Sequence, residues 1–277
     1  MRHGGTAYCN KQRMLLAKDG IFPITVDRQG RPLPEQPASR LDIPGTIQGE
    51  GKLNGIPSLF IRLAGCNLHC GWKTDDRHFS PCDTAYAAYD VQGAYNMEVE
   101  DICQTVVRNS GNLRHLVITG GEPLLQNKEL KVLCSRLKEE GNFHITLETN
   151  ATIYDEEVAE HLDFFSLSPK LNSSHPGQHK ISVYPDRIQS FITHARKYRK
   201  DFQLKFVYAK ESDIPEIKEL LSRLEDWRQE DILLMPLGTN AEMLRTNTHR
   251  TLEHCIRNGW RFCERLHISV FGDKPGV

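Results

Sequence analysis

No apolar run in this chain is long enough to cross a bilayer. The longest, such as "SLFIRLAG" (58–65) and "DILLMPLG" (231–238), fall far short of the roughly 20 residues a spanning helix needs. The opening stretch "MRHGGTAYCNKQRMLLAKDG" has neither the apolar segment nor the small-residue cleavage site of a secretory signal. An excess of one charge is also missing: 35 Lys and Arg stand against 36 Asp and Glu. No basic stripe or acidic block interrupts that balance, which argues against nucleic acid and against a membrane surface as partners. These absences predict a cytoplasmic chain. In that reducing compartment its eight cysteines are expected as thiols or metal ligands, not as bridges.

What is present is a length of 277 residues, enough for one large α/β domain or two small ones. Residues 1–45 read as an irregular extension, because "PITVDRQGRPLPEQPASRLDIPG" is rich in Pro, Gly and charge and has little periodicity. The regular part is 46–277. Strand-like runs at 58–65, 115–121, 144–150, 163–169, 202–209 and 231–238 alternate with helical spacing at 97–109, 129–141, 155–162, 186–198, 214–226 and 249–259. The stretch 261–272 reads as a last strand. This alternation predicts parallel strands wrapped by helices, as a whole or partial barrel or a doubly wound sheet. Chemistry in such folds sits at the carboxyl ends of the strands. Cys66, Gly120-Gly121-Glu122-Pro123, Glu148-Thr149-Asn150, Ser168-Pro169-Lys170 and Met235-Pro236-Leu237-Gly238 all fall at such ends.

Cys66, Cys70 and Cys82 lie in "CNLHCGWKTDDRHFSPCDT", with three and then eleven residues between them. An odd set suits neither disulfides nor a closed four-ligand zinc site. Three thiolates on an iron–sulfur cube leave one iron open, as a catalytic centre requires. Two plainer readings stand beside this one: three small buried residues, or a zinc site with His69 or His78 as fourth ligand. Cys103, Cys134 and Cys255 fall on apolar faces of predicted helices, Cys263 in a strand, and Cys9 in the loose start of the chain.

A strand ending in Gly-Cys, the Cys-x3-Cys pair, a third Cys and a downstream "GGEP" resemble the radical S-adenosylmethionine (SAM) superfamily. Its usual second interval is two residues, and this chain stretches it to eleven. "TIQGEG" (46–51), "PSLFIRLAGC" (57–66), "CDT" (82–84), "ITGGEP" (118–123), "LETN" (147–150) and "SPKLN" (168–172) occur in this order. They narrow the resemblance to the 7-carboxy-7-deazaguanine synthase family of the queuosine pathway, over roughly residues 45–277.

The resemblance implies a partial (β/α)6-type radical SAM barrel with reduced helices allowed. It implies a lyase that takes a hydrogen from 6-carboxy-5,6,7,8-tetrahydropterin through a 5′-deoxyadenosyl radical, contracts the ring and expels ammonia to give 7-carboxy-7-deazaguanine. A [4Fe–4S] cluster would sit on Cys66, Cys70 and Cys82, and Mg²⁺ on Thr84. SAM would contact Pro81, Asp83, Gly120, Gly121, Glu122, Glu148, Asn150, Ser168, Pro169, Lys170, Met235, Pro236, Leu237 and Gly238. The substrate would contact Ile47, Gln48, Gly49, Glu50, Arg62, Thr119, His267 in the last strand, and the terminal Val277. Gly120 and Gly121, lacking Cβ, are expected to let backbone approach SAM. Arg62 inside an apolar strand is costly unless paired, and a substrate carboxylate would pair it. Its alternative is an outward face and a helix acid. An electron donor such as flavodoxin and a homodimer are also implied, and the insert 71–81 is expected to fold over the cluster loop. Alternatives left open are an activase for a glycyl-radical enzyme, a divergent relative with another substrate, and a non-catalytic iron–sulfur or zinc module.

Overall fold

The computed structural model describes residues 12–27, 29–33, 45–73, 79–175, 182–238 and 240–272. Cys9, His78 and Val277 lie outside the described residues.

The elements follow in the order β1 (Arg13–Phe22), β2 (Ser58–Leu63), β3 (Gly71–Lys73), β4 (Phe79–Pro81), α1 (Ala85–Ala88), β5 (Tyr95–Glu98), α2 (Val99–Ser110), β6 (His115–Gly120), α3 (Asn127–Gly141) and β7 (His144–Thr149). Then come α4 (Glu156–Ala159), β8 (Phe164–Leu167), α5 (Pro185–Tyr198), β9 (Asp201–Tyr208), α6 (Asp213–Ser222), β10 (Ile232–Pro236), α7 (Ala241–Asn258), β11 (Arg261–Phe262) and α8 (Leu266–Phe271). Among the described residues, nine strands form one sheet in the order β11-β10-β9-β8-β7-β6-β2-β1-β5. From β2 to β11 neighbouring strands are parallel, and β1 pairs antiparallel with both β2 and β5. The chain is thus a partial barrel of parallel strands with helices between them, with α4 reduced to a single turn.

The alternation of β2 shows how this sheet places a site. Leu59, Ile61 and Leu63 are fully buried in the main core, on the face that meets α2 and α3. Ser58, Phe60 and Arg62 point to the opposite, inner face, as a period of two demands. On β9, Phe202, Leu204 and Phe206 take the core face and Lys205 the inner one. The barrel interior is therefore apolar toward its helices and carries charge toward its own axis.

Two expectations about elements are corrected. Residues 13–22, within the stretch read as irregular, form β1, whose Met14 and Leu16 belong to the main core. Its pattern is hidden by a bulge: Leu16 faces Leu63 but Ile21 faces Ile61, so five residues run against two. Secondly, 261–272 is not one strand. β11 pairs only at Arg261 and Phe262, and the chain then turns into α8, which buries Ile268 and Phe271 at helical spacing. His267 sits on that helix.

Candidate active site

One cavity opens at the carboxyl ends of the strands. Cys66, Cys70 and Cys82 all line it. Cys66 follows β2 through Gly65, whose φ of 97° is a glycine conformation. The hairpin of β3 and β4 consumes the eleven residues between the other two: Gly71 faces Pro81 in its register, and the Cys82 amide donates to the Cys70 carbonyl at 3.2 Å. Leu68, Cys70, Trp72 and Leu237 form an apolar cluster, with Cys66 and Cys82 packed against it. Burial pushes the Cys70 thiol up to about 12 and also raises Cys66 and Cys82. The free thiols are therefore protonated at neutral pH, and binding a metal there releases protons. Among the described residues no three Cys, His, Asp or Glu side chains converge closely enough for a single ion. Three thiols on one cavity wall leave an iron–sulfur cube with one iron free of protein ligands.

Both glycines of the pair press against neighbouring backbone. A Cβ on Gly120 would lie 2.0 Å from the Leu63 carbonyl, and one on Gly121 would lie 2.1 Å from that of Gly65. The two glycines let β6 end flush against the turn that carries Cys66, and both remain on the cavity wall.

A polar layer crosses the strand ends beside the thiols. Glu148 accepts from Gln48 Nε2 at 3.1 Å and from Thr119 Oγ1 at 2.8 Å. Asn150 donates to Asn67 at 3.0 Å, next to Cys66. Lys170 donates to Ser168 Oγ at 2.7 Å. Thr84 Oγ1 lies 3.4 Å from Cys82 Sγ and faces the cavity. Met235 and His267 also line it, and Ile47, Gly49 and Glu50 enter from the loop before β2.

Several expected contacts do not reach this wall. Glu122 is 1% exposed, and its oxygens accept from Leu124 N, Thr149 Oγ1 and Asn150 N. Burial pushes its carboxyl up to about 7. It fastens the ends of β6 and β7 together. Leu237 packs in one apolar cluster with Cys70, and Gly238 gives its carbonyl to Arg265. Pro81, Pro169 and Pro236 are also absent from the lining.

The residues that sequence reading missed are mostly charged or aromatic. Lys205 pairs with Glu50. Arg265 donates to Glu50 at 2.9 Å, to Asp83 at 2.6 Å and to the Gly238 carbonyl at 2.7 Å. Burial alone would raise the Glu50 carboxyl, but the charges of Lys205 and Arg265 hold it well below the carboxylate range. Glu50 is thus a fixed anion that can only accept hydrogen bonds. Asp83 is likewise lowered, with the Arg265 charge overcoming burial. Phe22, Phe60, Tyr86 and Trp72 complete the wall.

Arg62 Nε is buried and has no hydrogen-bond partner among the described residues. The outward alternative for Arg62 is therefore excluded by its inner face and by its place on the cavity wall. A guanidinium in this position fits an incoming anion.

Comparison with known proteins gives a consistent picture. The Radical SAM superfamily matches residues 61–201. A 7-carboxy-7-deazaguanine synthase of Halobacterium salinarum is 36% identical over 266 residues, covering 91% of this chain and 97% of that protein. One of Rhodopirellula baltica is 33% identical over 236 residues, covering 83% of this chain and 85% of its own. The crystal structure of QueE from Escherichia coli superposes with a TM-score of 0.59 at 24% identity, over 92% of this chain and 95% of that one, and supports the fold.

Proposed function

Because the chain belongs to the 7-carboxy-7-deazaguanine synthase family of the radical SAM superfamily, we propose that it converts 6-carboxy-5,6,7,8-tetrahydropterin to 7-carboxy-7-deazaguanine with loss of ammonia. The observation that carries this reading is a cavity lined both by the three thiols and by Arg62, whose buried Nε has no hydrogen-bond partner among the described residues. The first suits a radical-generating cofactor, and the second suits the carboxylate of the pterin.

Cys66, Cys70 and Cys82 would hold the [4Fe–4S] cluster, and the strand-end residues would hold SAM. Together the cluster and SAM supply a carbon radical strong enough to take a hydrogen from the substrate. The protein's own part is placement. Arg62 takes the carboxylate bidentately. Glu50, kept ionised, accepts N–H groups of the ring edge. Gln48, Thr119 and Glu148 form a hydrogen-bonded row, and that row fixes the ring against β6 and β7. Asn150, Ser168 and Lys170 offer polar atoms to the SAM end. Leu68, Trp72 and Leu237 form apolar surroundings that would keep water from the reacting groups. Thr84 offers one oxygen to a Mg²⁺ that the substrate carboxylate completes, in keeping with the oxygen preference of that ion. Flavodoxin as reductant, a homodimer and a reducing cytoplasm belong to the same reading, and the free thiols among the described residues suit such a compartment.

The test is anaerobic. The cluster is reconstituted, and 5′-deoxyadenosine is assayed with SAM, dithionite and Mg²⁺, with and without 6-carboxytetrahydropterin. Pterin-dependent release of a carboxy-deazaguanine is expected. SAM cleavage that ignores the pterin would sink the substrate assignment, and an absence of iron–sulfur absorbance would sink the cysteine assignment.

A further inference from the structure

We propose that β1 is a working wall of this site: Phe22 on β1 and Tyr86 on α1 hold the Arg62 guanidinium against their rings and so aim its donors at the substrate carboxylate. This rests on the reading above that Arg62 binds that carboxylate. It assigns a task to residues 13–22, which otherwise look like a strand appended to the barrel.

The placement follows from register. Phe22 faces Phe60 across the antiparallel β1–β2 pair, and their rings stack with centroids 5.0 Å apart and planes within 2°. Arg62 is two residues along β2 from Phe60, so it shares that face and lies diagonal to Phe22, within reach of a long side chain. Its Cζ is 5.4 Å from the Phe22 ring centre and 5.7 Å from that of Tyr86. Both distances are in cation–π range. Phe22, Arg62 and Tyr86 all line the cavity, while Phe22 itself is only 5% exposed.

A guanidinium offers two faces and an edge. Here the guanidinium carbon lies over two aromatic rings, and Nε is buried without a partner among the described residues. An aromatic face steadies the charge without using any of its donors. The donors therefore remain for an anion. A carboxylate partner from the protein would have consumed them, and a plain apolar wall would have left the side chain free to swing. Preorganising the fork lowers the ordering cost of binding.

The test measures equilibrium binding to the cluster-loaded, SAM-bound enzyme without reductant. The two ligands are 6-carboxytetrahydropterin and its neutral 6-carboxamide. Phe22→Leu keeps apolar bulk and removes the π face. It is expected to weaken the acid about five- to tenfold and the amide less than twofold, and Phe22→Tyr is expected to restore the acid. Tyr86→Leu removes the other face and is expected to show the same selective loss, so the idea stays testable if one variant folds poorly. Equal weakening of both ligands, or of neither, overturns the positioning role. Arg62→Met separates the two levels. If it leaves the acid-to-amide ratio unchanged, the carboxylate assignment itself is wrong. If it collapses that ratio while Phe22→Leu and Tyr86→Leu do not, only the aromatic clamp is wrong.

Discussion

The Cys82 amide donates to the Cys70 carbonyl at 3.2 Å, although eleven residues separate the two in the chain. The β3–β4 hairpin makes this possible, because its strands leave and return at adjacent points. Antiparallel partners lie about 5.5 Å apart at Cα or closer, and a four-residue turn spans up to about 7 Å. A hairpin and a two-residue link are therefore interchangeable at this place. Excising residues 73–81 leaves Gly71 and Trp72 between the cysteines. The shortened protein is expected to bind iron and sulfide as the full chain does. A folded variant that reconstitutes without the visible absorbance of the cluster would show that the hairpin shapes the thiols rather than merely bridging them.

The cysteines divide sharply by surroundings. Cys82→Ala is expected to remove the cluster absorbance while unfolding near the parent midpoint. Cys134 is fully buried among core side chains of α3, and burial raises its thiol well above its usual range. Cys134→Ala removes one heavy atom from a packed core, at a cost of about 1 kcal/mol, and is expected to keep the cluster. Iron content beside a urea unfolding curve for each variant checks both halves. Loss of iron in the Cys134 variant alone would reverse the assignment.

Arg265 ties three separate segments together through Glu50, Asp83 and Gly238. The Glu50 and Arg265 side chains are 13% and 9% exposed, so removing the cation leaves a buried carboxylate with Lys205 alone. Breaking such a pair costs about 3 kcal/mol. Arg265→Met is expected to lose roughly that much stability and to weaken pterin binding, because Glu50 is no longer held from both sides. Arg265→Lys keeps the charge but cannot reach three partners, and is expected to fall between. Urea denaturation with substrate titration reads both effects. Unchanged stability in the Met variant would mean that Lys205 suffices.

The strand-end motifs and the strand–helix order were legible because they depend on local pattern. Arg62 stood out as a charge inside an apolar strand. Lys205 in "FQLKFVYA" carries the same signal, and only the fold shows that it answers Glu50. Arg265 has no periodic setting, and its partners lie 215, 182 and 27 residues away. No local pattern reveals it. β1 escaped because its bulge breaks the alternation. The glycine pair marks a close approach, and the backbone at Leu63 and Gly65 makes one such approach in the fold. Glu122 shows how little a motif says of a carboxylate's partners: its oxygens accept from Leu124, Thr149 and Asn150.

At the opposite end of the strands His115 sits 5% exposed between two hydroxyls. Its Nδ1 lies 2.7 Å from Ser58 Oγ and its Nε2 lies 2.8 Å from Thr146 Oγ1. Burial, helped by the nearby His144 and opposed by Asp163, pushes its pKa down to about 4 from 6.5. The unfolded chain therefore takes up the proton first as pH falls. The stabilisation from His115 is complete above pH 6.5, declines below it, and is gone near pH 4. One pKa unit corresponds to about 1.4 kcal/mol, so the span from pH 6.5 to 5 removes about 2 kcal/mol. His115→Gln keeps a polar side chain between the hydroxyls and cannot titrate. Urea midpoints at pH 7 and pH 5 are expected to converge in the variant by about that amount relative to the parent. Parallel profiles for the two proteins would mean that His115 is charged in the folded state, and that its hydroxyl neighbours, rather than its neutrality, explain its burial.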